Sequence, residues 1–468
     1  MTEIKERHKD LLNKFLDKEQ MQDFEIGSDL SGEQKVAFEQ FKKGKNICIL
    51  GNAGVGKSFW IKTIQKYNLQ FDRDPDYKKM YLTSLTGVSS YFLNGMTIHS
   101  FLGLGIGSLD IYSLIKKIKK SPSIVDRIKS PHILVIDEIS MLSAPLFEKI
   151  VLIYRHFRKT KELDVQFILT GDLLQIECIF NKFDASNGNE PPDTRLLIES
   201  EIFNSLFPNP IKFECNFRQK GDTSFFDLLS RIRVNKMTND DHQLLIEKCD
   251  NFSQELADIK KQGIIPLHLV ISNAKAQKIN KINLDKIDSE YVTYNYSVNT
   301  VGSNYETINI LKKELEKQFT VKGLLKLELK KGARIMLLKN LSVDSGLING
   351  ATGTIIQLHK LEITVKFDNG MTSNIAKADF ELELDSNIVR FTQLPVICAY
   401  SLTISKSQSL TLGPTIMDLE DIFCNHMGYV ALSRVKSLDH LLLKSFNKNK
   451  ITVNNNVINF LEKIKNNI

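Results

Sequence analysis

The sequence predicts an α/β protein of two parallel-sheet units, the second interrupted by a small β-rich insertion. Three observations carry this. From Ile47 onward, short apolar runs alternate with longer amphipathic stretches, the pattern of parallel strands covered by helices. The same alternation opens again near Phe203 and returns at Leu394–Ile404. Between them, after about Lys281, the chain changes to short β-rich runs separated by turn residues. The boundaries that follow are 1–202 for the first unit, with a small wedge-like insertion at about 67–79, 203–281 for the start of the second, 282–391 for the inserted region and 392–468 for the remainder. A chain of 468 residues suits about three domains of roughly 150 residues each.

The first thirty residues are helical in pattern and end in a polar stretch before Leu30. Strands are expected at Ile47–Leu50, Met80–Thr83, Ile133–Ile136 and Phe167–Thr170, with helices at Ser58–Lys66 and Leu142–Phe157. The second unit contributes a helix at Phe225–Arg233 and a strand at Pro266–Ile271. In the insertion the strand candidates are Gly332–Leu338, Gly353–Leu358, Leu361–Phe367 and Met371–Ile375, and Asp368-Asn369-Gly370 marks a hairpin turn. The whole insertion reads as all-β. The Asn- and Lys-rich tail after Asn447 reads as surface.

Composition narrows the function classes. Hydrophobic residues make up 42% and charged residues 25%, and no apolar run reaches the roughly 18–20 residues of a bilayer span, so no membrane partner is expected. The charged N-terminus lacks an apolar signal core. An intracellular setting follows, cytoplasmic in a bacterium and at a nucleus or replication site otherwise. The net charge of +7 is compatible with nucleic acid and equally with a solvated basic surface. Six cysteines without C-x-x-C spacing and nine scattered histidines predict no zinc or other structural metal site. Cys48, Cys398 and Trp60, the only tryptophan, read as core.

Gly51-Asn52-Ala53-Gly54-Val55-Gly56-Lys57-Ser58 fits the G-x4-G-K-[ST] phosphate loop, with an apolar strand before it and a helical run after it. Glycines let the backbone wrap phosphates, and the helix start adds partial positive charge. Lys57 is expected to reach the β- and γ-phosphates of ATP, and Ser58 to ligate Mg²⁺. The strand Ile133–Ile136 delivers Asp137 and Glu138 to the sheet edge, Asp137 to hold Mg²⁺ and Glu138 to activate water. Gln175, after another apolar strand and Asp172, is placed to sense the γ-phosphate or position water. Ser31 and Gln34 form a capping box, while Gln34 also has the chemistry to read adenine N6 and N7.

These motifs, with those that follow, resemble superfamily-one DNA helicases of the petite integration frequency (PIF) type, relatives of RecD. The resemblance runs from about Leu30 to Leu442. Leu30-Ser31-Gly32-Glu33-Gln34 is similar to the adenine-reading glutamine motif. Thr86-Gly87-Val88 and Gly95-Met96-Thr97-Ile98-His99-Ser100-Phe101 are similar to the early DNA-contact motifs. Asn216-Phe217-Arg218-Gln219 resembles the motif whose arginine reaches the γ-phosphate, and Tyr429-Val430-Ala431-Leu432-Ser433-Arg434 the last motif, with Arg434 a second such contact. Gly332-Ala333-Arg334-Ile335-Met336-Leu337 with Asn340, and Leu402-Thr403-Ile404-Ser405-Lys406-Ser407-Gln408, match late family stretches. The chain departs from the family at Ser405 (usually His), Ser409 (usually Gly), Ser272 (commonly Thr) and Ile176-Glu177-Cys178 (usually Leu-Pro-Pro).

The resemblance implies two RecA-like motor domains around one ATP and Mg²⁺, the second carrying a small barrel of the Src-homology type. It implies a monomeric motor moving 5′ to 3′ on single-stranded DNA and opening tailed or forked duplexes. Catalytic roles fall to Lys57, Asp137, Glu138, Gln175, Arg218 and Arg434, nucleotide binding to Gln34 and Gly51–Ser58, and DNA contact to Thr86, His99, Ser100, Phe101, Asn340, Thr403, Lys406 and Ser407, with Phe101 stacking on bases. Lys330, Lys331 and Arg334 offer phosphate contacts or form a solvated basic turn. Surface ion pairing is the commoner fate of residues such as Arg218 and Arg434, and an isolated His99 is as often a core or turn residue. Two other readings stand beside the helicase: a translocase or nucleoprotein remodeller without productive unwinding, and a non-catalytic nucleic-acid-binding protein.

Overall fold

A computed structural model of the chain describes residues 27, 29–71, 77–86, 89–90, 93–104, 109–160, 164–178, 193–215, 223–339, 341–342, 345, 347, 349–384, 387–408 and 410–465. The helical pattern of the N-terminal residues, and residues 72–76 of the expected wedge, lie outside these.

Six apolar runs form one all-parallel sheet: β1 (Ile47–Gly51), β2 (Met80–Ser84), β3 (Met96–Thr97), β4 (Ile133–Asp137), β5 (Gln166–Gly171) and β6 (Ile211–Phe213), in the order β3-β2-β4-β5-β1-β6. Every residue of β1, β4 and β5 is buried, as a parallel sheet covered on both faces requires. The helix Ala144–Arg158 shows why the covering layer forms. Ser143 Oγ accepts the Leu146 N–H at its start, and Phe147, Ile150, Val151, Tyr154 and Phe157 place one apolar stripe on the sheet. Each such buried side chain contributes about 1.5–3 kcal/mol over exposure. Trp60, on the helix Lys57–Leu69, is fully buried, and its indole N–H donates to the Gln34 carbonyl at 3.1 Å.

The second unit opens with the helix Thr223–Arg233 and strand β7 (Leu267–Val270), followed by the helix Asn273–Asp285. The chain then lays down β8 (Val292–Asn295), β9 (Ser297–Val301), β10 (Lys326–Leu329), β11 (Arg334–Leu337), β12 (Thr352–Leu358), β13 (Glu362–Phe367), β14 (Thr372–Ala376), β15 (Ala378–Leu384), β16 (Asn387–Gln393) and β17 (Val396–Cys398). It returns through β18 (Ser401–Thr403), β19 (Thr415–Asp418) and β20 (Leu441–Ser445), which complete a parallel sheet in the order β18-β7-β19-β20.

The inserted region differs from expectation in three ways. Its described strands make open antiparallel sheets, β14-β13-β12-β11-β17, β15-β16-β9 and β10-β8, and no closed barrel. It is not all-β: the helix Tyr305–Lys322 buries Leu311, Leu315 and Phe319 at helical spacing, a stripe hidden in the sequence by the charges between them. Finally, β17, expected in the motor sheet, pairs antiparallel with β11. The hairpin at Asp368-Asn369-Gly370 forms as expected between β13 and β14, with Gly370 at φ 87°.

Candidate functional site

The loop after β1 is fixed by its glycines. A Cβ on Gly51 would lie 2.7 Å from the Phe213 carbonyl, and Gly56 has φ 83°, a left-handed value that suits glycine. The loop feeds directly into the helix Lys57–Leu69. Lys57 Nζ donates to the carbonyls of Gly51 and Asn52, each at 2.8 Å. Burial lowers its pKa, opposed by the charges of Asp172, Glu138 and Asp137.

The carboxylates come from the end of β4, one strand removed from β1. Asp137 is buried, and its Oδ1 accepts from Thr170 Oγ1 of β5 at 2.5 Å. Burial, then the neighbouring Glu138 charge, pushes its pKa up to about 6. Glu138 has φ 59° and ψ 45°, a left-handed conformation rare for a non-glycine residue and characteristic of strained functional positions. A set of carboxylate and hydroxyl oxygens beside a phosphate loop fits a hard cation such as Mg²⁺.

A cavity of about 620 Å³ unites both units. Lys57, Ser58, Asp137, Glu138 and Gln175 line it from one side and Arg434 from the other, with Ala53, Gly54 and Gly56 at its floor. Arg434 is only 1% exposed. Its Nε donates to the Val430 carbonyl at 2.8 Å, and its terminal nitrogens to Ser433 Oγ at 2.6 Å and the Ser407 carbonyl at 3.4 Å. It is therefore not a surface ion-pairing residue, and burial lowers its pKa. Gln175 Nε2 reaches Asp172 Oδ2 at 3.5 Å, while its buried Oε1 has no hydrogen-bond partner among the described residues. Arg218 and Asn340 lie outside the described residues.

Gln34 is not poised to read adenine. It is 1% exposed and absent from the cavity wall; its Oε1 accepts the Ser31 N–H at 3.1 Å and its Nε2 donates to the Val55 carbonyl at 3.3 Å. The amide caps its helix and clamps the phosphate loop, so both ends are in use.

The expected DNA contacts divide. Thr86 follows β2, its Oγ1 donating to Ser89 Oγ at 2.9 Å. His99 and Ser100 lie together after β3, facing the helix Tyr305–Lys322: Ser100 Oγ donates to buried Glu314, and burial, then the Lys317 charge, lowers the His99 pKa. Thr403 and Lys406 line a second cavity of about 540 Å³. Four expected contacts fail on burial. Phe101 is 1% exposed, its ring 5.3 Å from that of Tyr81, so it has no free face for a base. Ser407 is fully buried, its hydroxyl donating to the Ile404 carbonyl at 2.7 Å. In the insertion, Arg334 is 2% exposed and forked onto Asp368, with one bond at 2.5 Å, and Lys330 donates to the Ile287 carbonyl at 3.0 Å beneath the Tyr291 ring; neither is free for phosphate, whereas Lys331 is exposed.

Sequence reasoning missed Asp29, Phe59 and Thr411, which complete the cavity wall, and Arg233. Arg233 Nη2 bonds Asp172 Oδ1 at 2.5 Å, both side chains being buried. Burial opposes its charge, yet Arg233 holds Asp172 below the usual carboxylate range. The signal was present: Arg233 continues the four-residue spacing of buried Phe225 and Leu229, and a cation on that stripe needs a partner.

Two family models match: PIF1-like helicase over residues 29–243 and the DNA helicase Pif1 2B domain over residues 311–358. The ATP-dependent DNA helicase PIF1 of Danio rerio is 28% identical over 454 residues, covering 94% of this chain and 65% of its own length. The ATP-dependent DNA helicase Pif1 of Bdellovibrio bacteriovorus is 27% identical over 445 residues, covering 93% of this chain and 92% of its own. This chain thus spans less than two thirds of the fish protein and nearly all of the bacterial one. The crystal structure of Bacteroides sp Pif1 in complex with ADP-AlF4 superposes with a TM-score of 0.74 at 25% identity, over 94% of this chain and 97% of that one. With its motor segment and its inserted segment both matched, and its fold shared along nearly its whole length, the chain belongs to the PIF1-like helicase family.

Proposed function

We propose that this chain is an ATP-dependent motor that moves 5′ to 3′ on single-stranded DNA as a monomer and separates tailed or forked duplexes, within the cell where such DNA occurs. One observation carries the reading: Lys57, Ser58, Asp137 and Glu138 from one sheet and Arg434 from the other line a single cavity.

In this reading, the loop amides and Lys57 hold the phosphates, and Glu138 takes the proton of the attacking water as the bond to the γ-phosphorus breaks, leaving ADP and inorganic phosphate. Ser58 and Asp137 would hold Mg²⁺, which supplies charge neutralisation on the phosphates when bound. Arg434, with Arg218 by resemblance, stabilises charge developing on the transferred group when the cleft closes. Coupling closure to Thr86, His99, Ser100, Thr403 and Lys406 along the strand path turns hydrolysis into movement.

Strand displacement with ATP on matched 5′-tailed and 3′-tailed duplexes tests this; opening only of the 5′-tailed substrate is expected. ATP hydrolysis without displacement on either would favour the translocase or remodeller. DNA binding without hydrolysis would favour the non-catalytic reading, against which the full ligand set stands.

A further inference from the structure

The segment after β5 crosses from the first unit to the second and holds it at three points. Asp172 bonds Arg233 of the helix Thr223–Arg233. Ile176 is buried within the second unit's core. Glu177 meets the start of the helix Met427–Leu432: Asn425 Nδ2 donates to its Oε2 at 3.5 Å, and His426 Nε2 lies 3.7 Å from its Oε1. His426 is itself pinned. Its backbone is left-handed at φ 61°, its N–H donates to the Thr452 carbonyl at 2.8 Å, and its ring accepts the Asn454 N–H at 3.2 Å.

The position of this third anchor matters. Gln175 sits two residues before Glu177, and Arg434 sits eight residues after His426, two residues beyond the far end of the same short helix; both line the nucleotide cavity. Glu177 falls in Ile176-Glu177-Cys178, a crossing that contains no proline. Proline stiffens a crossing segment covalently, by fixing φ. This chain lacks that stiffness and has a carboxylate across the cleft instead.

We propose that Glu177 is a positioning residue: by accepting from Asn425 across the cleft, next to the pinned His426, it sets the separation of Gln175 and Arg434 around the γ-phosphate. This rests on the reading of the cavity as an ATP site. The phosphate ligands of the first sheet do not depend on the anchor, so its loss acts on turnover and spares nucleotide binding.

The experiment is steady-state ATP hydrolysis stimulated by single-stranded DNA, with thermal melting to verify folding. Glu177→Ala is expected to lower kcat about tenfold and leave KM for ATP within about twofold, the mark of a misplaced group rather than a lost ligand. Glu177→Gln keeps an oxygen acceptor for Asn425 Nδ2 and should retain at least roughly half of wild-type kcat. Asn425→Ala should match Glu177→Ala, and the double variant should fall no further than either single one, because they share one contact. Wild-type kcat in Glu177→Ala, a KM that rises as far as kcat falls, or losses that multiply in the double variant would each overturn the proposal. If Glu177→Ala does not fold, Glu177→Gln and Asn425→Ala decide it: wild-type kcat in Asn425→Ala overturns it, and an about tenfold loss there with Glu177→Gln near wild type supports it. A wild type no more active than Lys57→Ala would overturn the ATP-site reading itself, and this proposal with it.

Discussion

The parallel sheets and the inserted antiparallel sheets handle charge in opposite ways. In the first sheet, β1, β4 and β5 are buried along their whole length, and Asp137 at the end of β4, with Glu138 and Lys57 just beyond the strand ends, faces a cavity. In the insertion, β12 and β13 largely alternate buried and part-exposed residues, and two buried charges beside them are paired within the insertion, Arg334 with Asp368 and Lys330 with the Ile287 carbonyl. A fully apolar strand leaves polar groups only at its ends, where neighbouring strands can pool them for a ligand. An alternating strand distributes them along its length, where they pair with one another.

The sharpest way to break this comparison is at Arg434. Arg434→Ala should lower kcat for ATP on the order of 10³-fold while changing nucleotide Kd far less. Equal losses in kcat and affinity, measured by turnover and equilibrium titration, would make it a ground-state ligand. Glu138→Gln comes next: it should bind ATP and lose about 10²–10³-fold in turnover as the water loses its base. Hydrolysis at the wild-type rate would remove Glu138 from the chemistry.

On the insertion side, Asp368→Ala leaves the Arg334 guanidinium buried without its carboxylate. A loss of about 3–5 kcal/mol is expected, read as a lowered denaturation midpoint, with ATPase per folded molecule unchanged. A fall in ATPase at full stability would show that the two regions do not divide labour in this way.

The smallest effect concerns His426. Burial lowers its pKa from 6.5 to about 4, opposed by Asp172 and reinforced by Arg233. The unfolded chain takes up this proton below about pH 6.5, whereas the folded chain takes it up only near pH 4. The unfolded state therefore binds more protons in between, and stability falls as pH drops through that window, by up to about 3 kcal/mol. His426→Asn, which tolerates the left-handed backbone, should flatten the decline between pH 6.5 and 4 in melting curves. An unchanged pH profile would assign the acid sensitivity elsewhere.

Much of the motor was legible because its signals are local. The strands expected at Ile47–Leu50 and Ile133–Ile136 are observed with one further residue each, and the residues of the phosphate loop and the Asp-Glu pair meet in one cavity. Contacts between distant segments were not legible. The Ser31–Gln34 cap was announced by its spacing, but nothing near Gln34 announces that its Nε2 is taken by Val55, and nothing near Phe101 announces Tyr81. The helix Tyr305–Lys322 was missed because its Lys and Glu residues dilute an apolar stripe that pays off only when it is buried.

Trp60 gives this protein a built-in optical probe. It is the only tryptophan in the sequence, it is fully buried, and it stands three residues beyond Lys57 on the helix that the phosphate loop opens. Its indole N–H is tied to the backbone of Gln34, whose side chain in turn holds the loop at Val55. Red-edge excitation, which passes over the twelve tyrosines, therefore reports from one place beneath the phosphates. The emission of the unlabelled protein can follow nucleotide arrival and departure in stopped flow, turnover by turnover, with no dye attached.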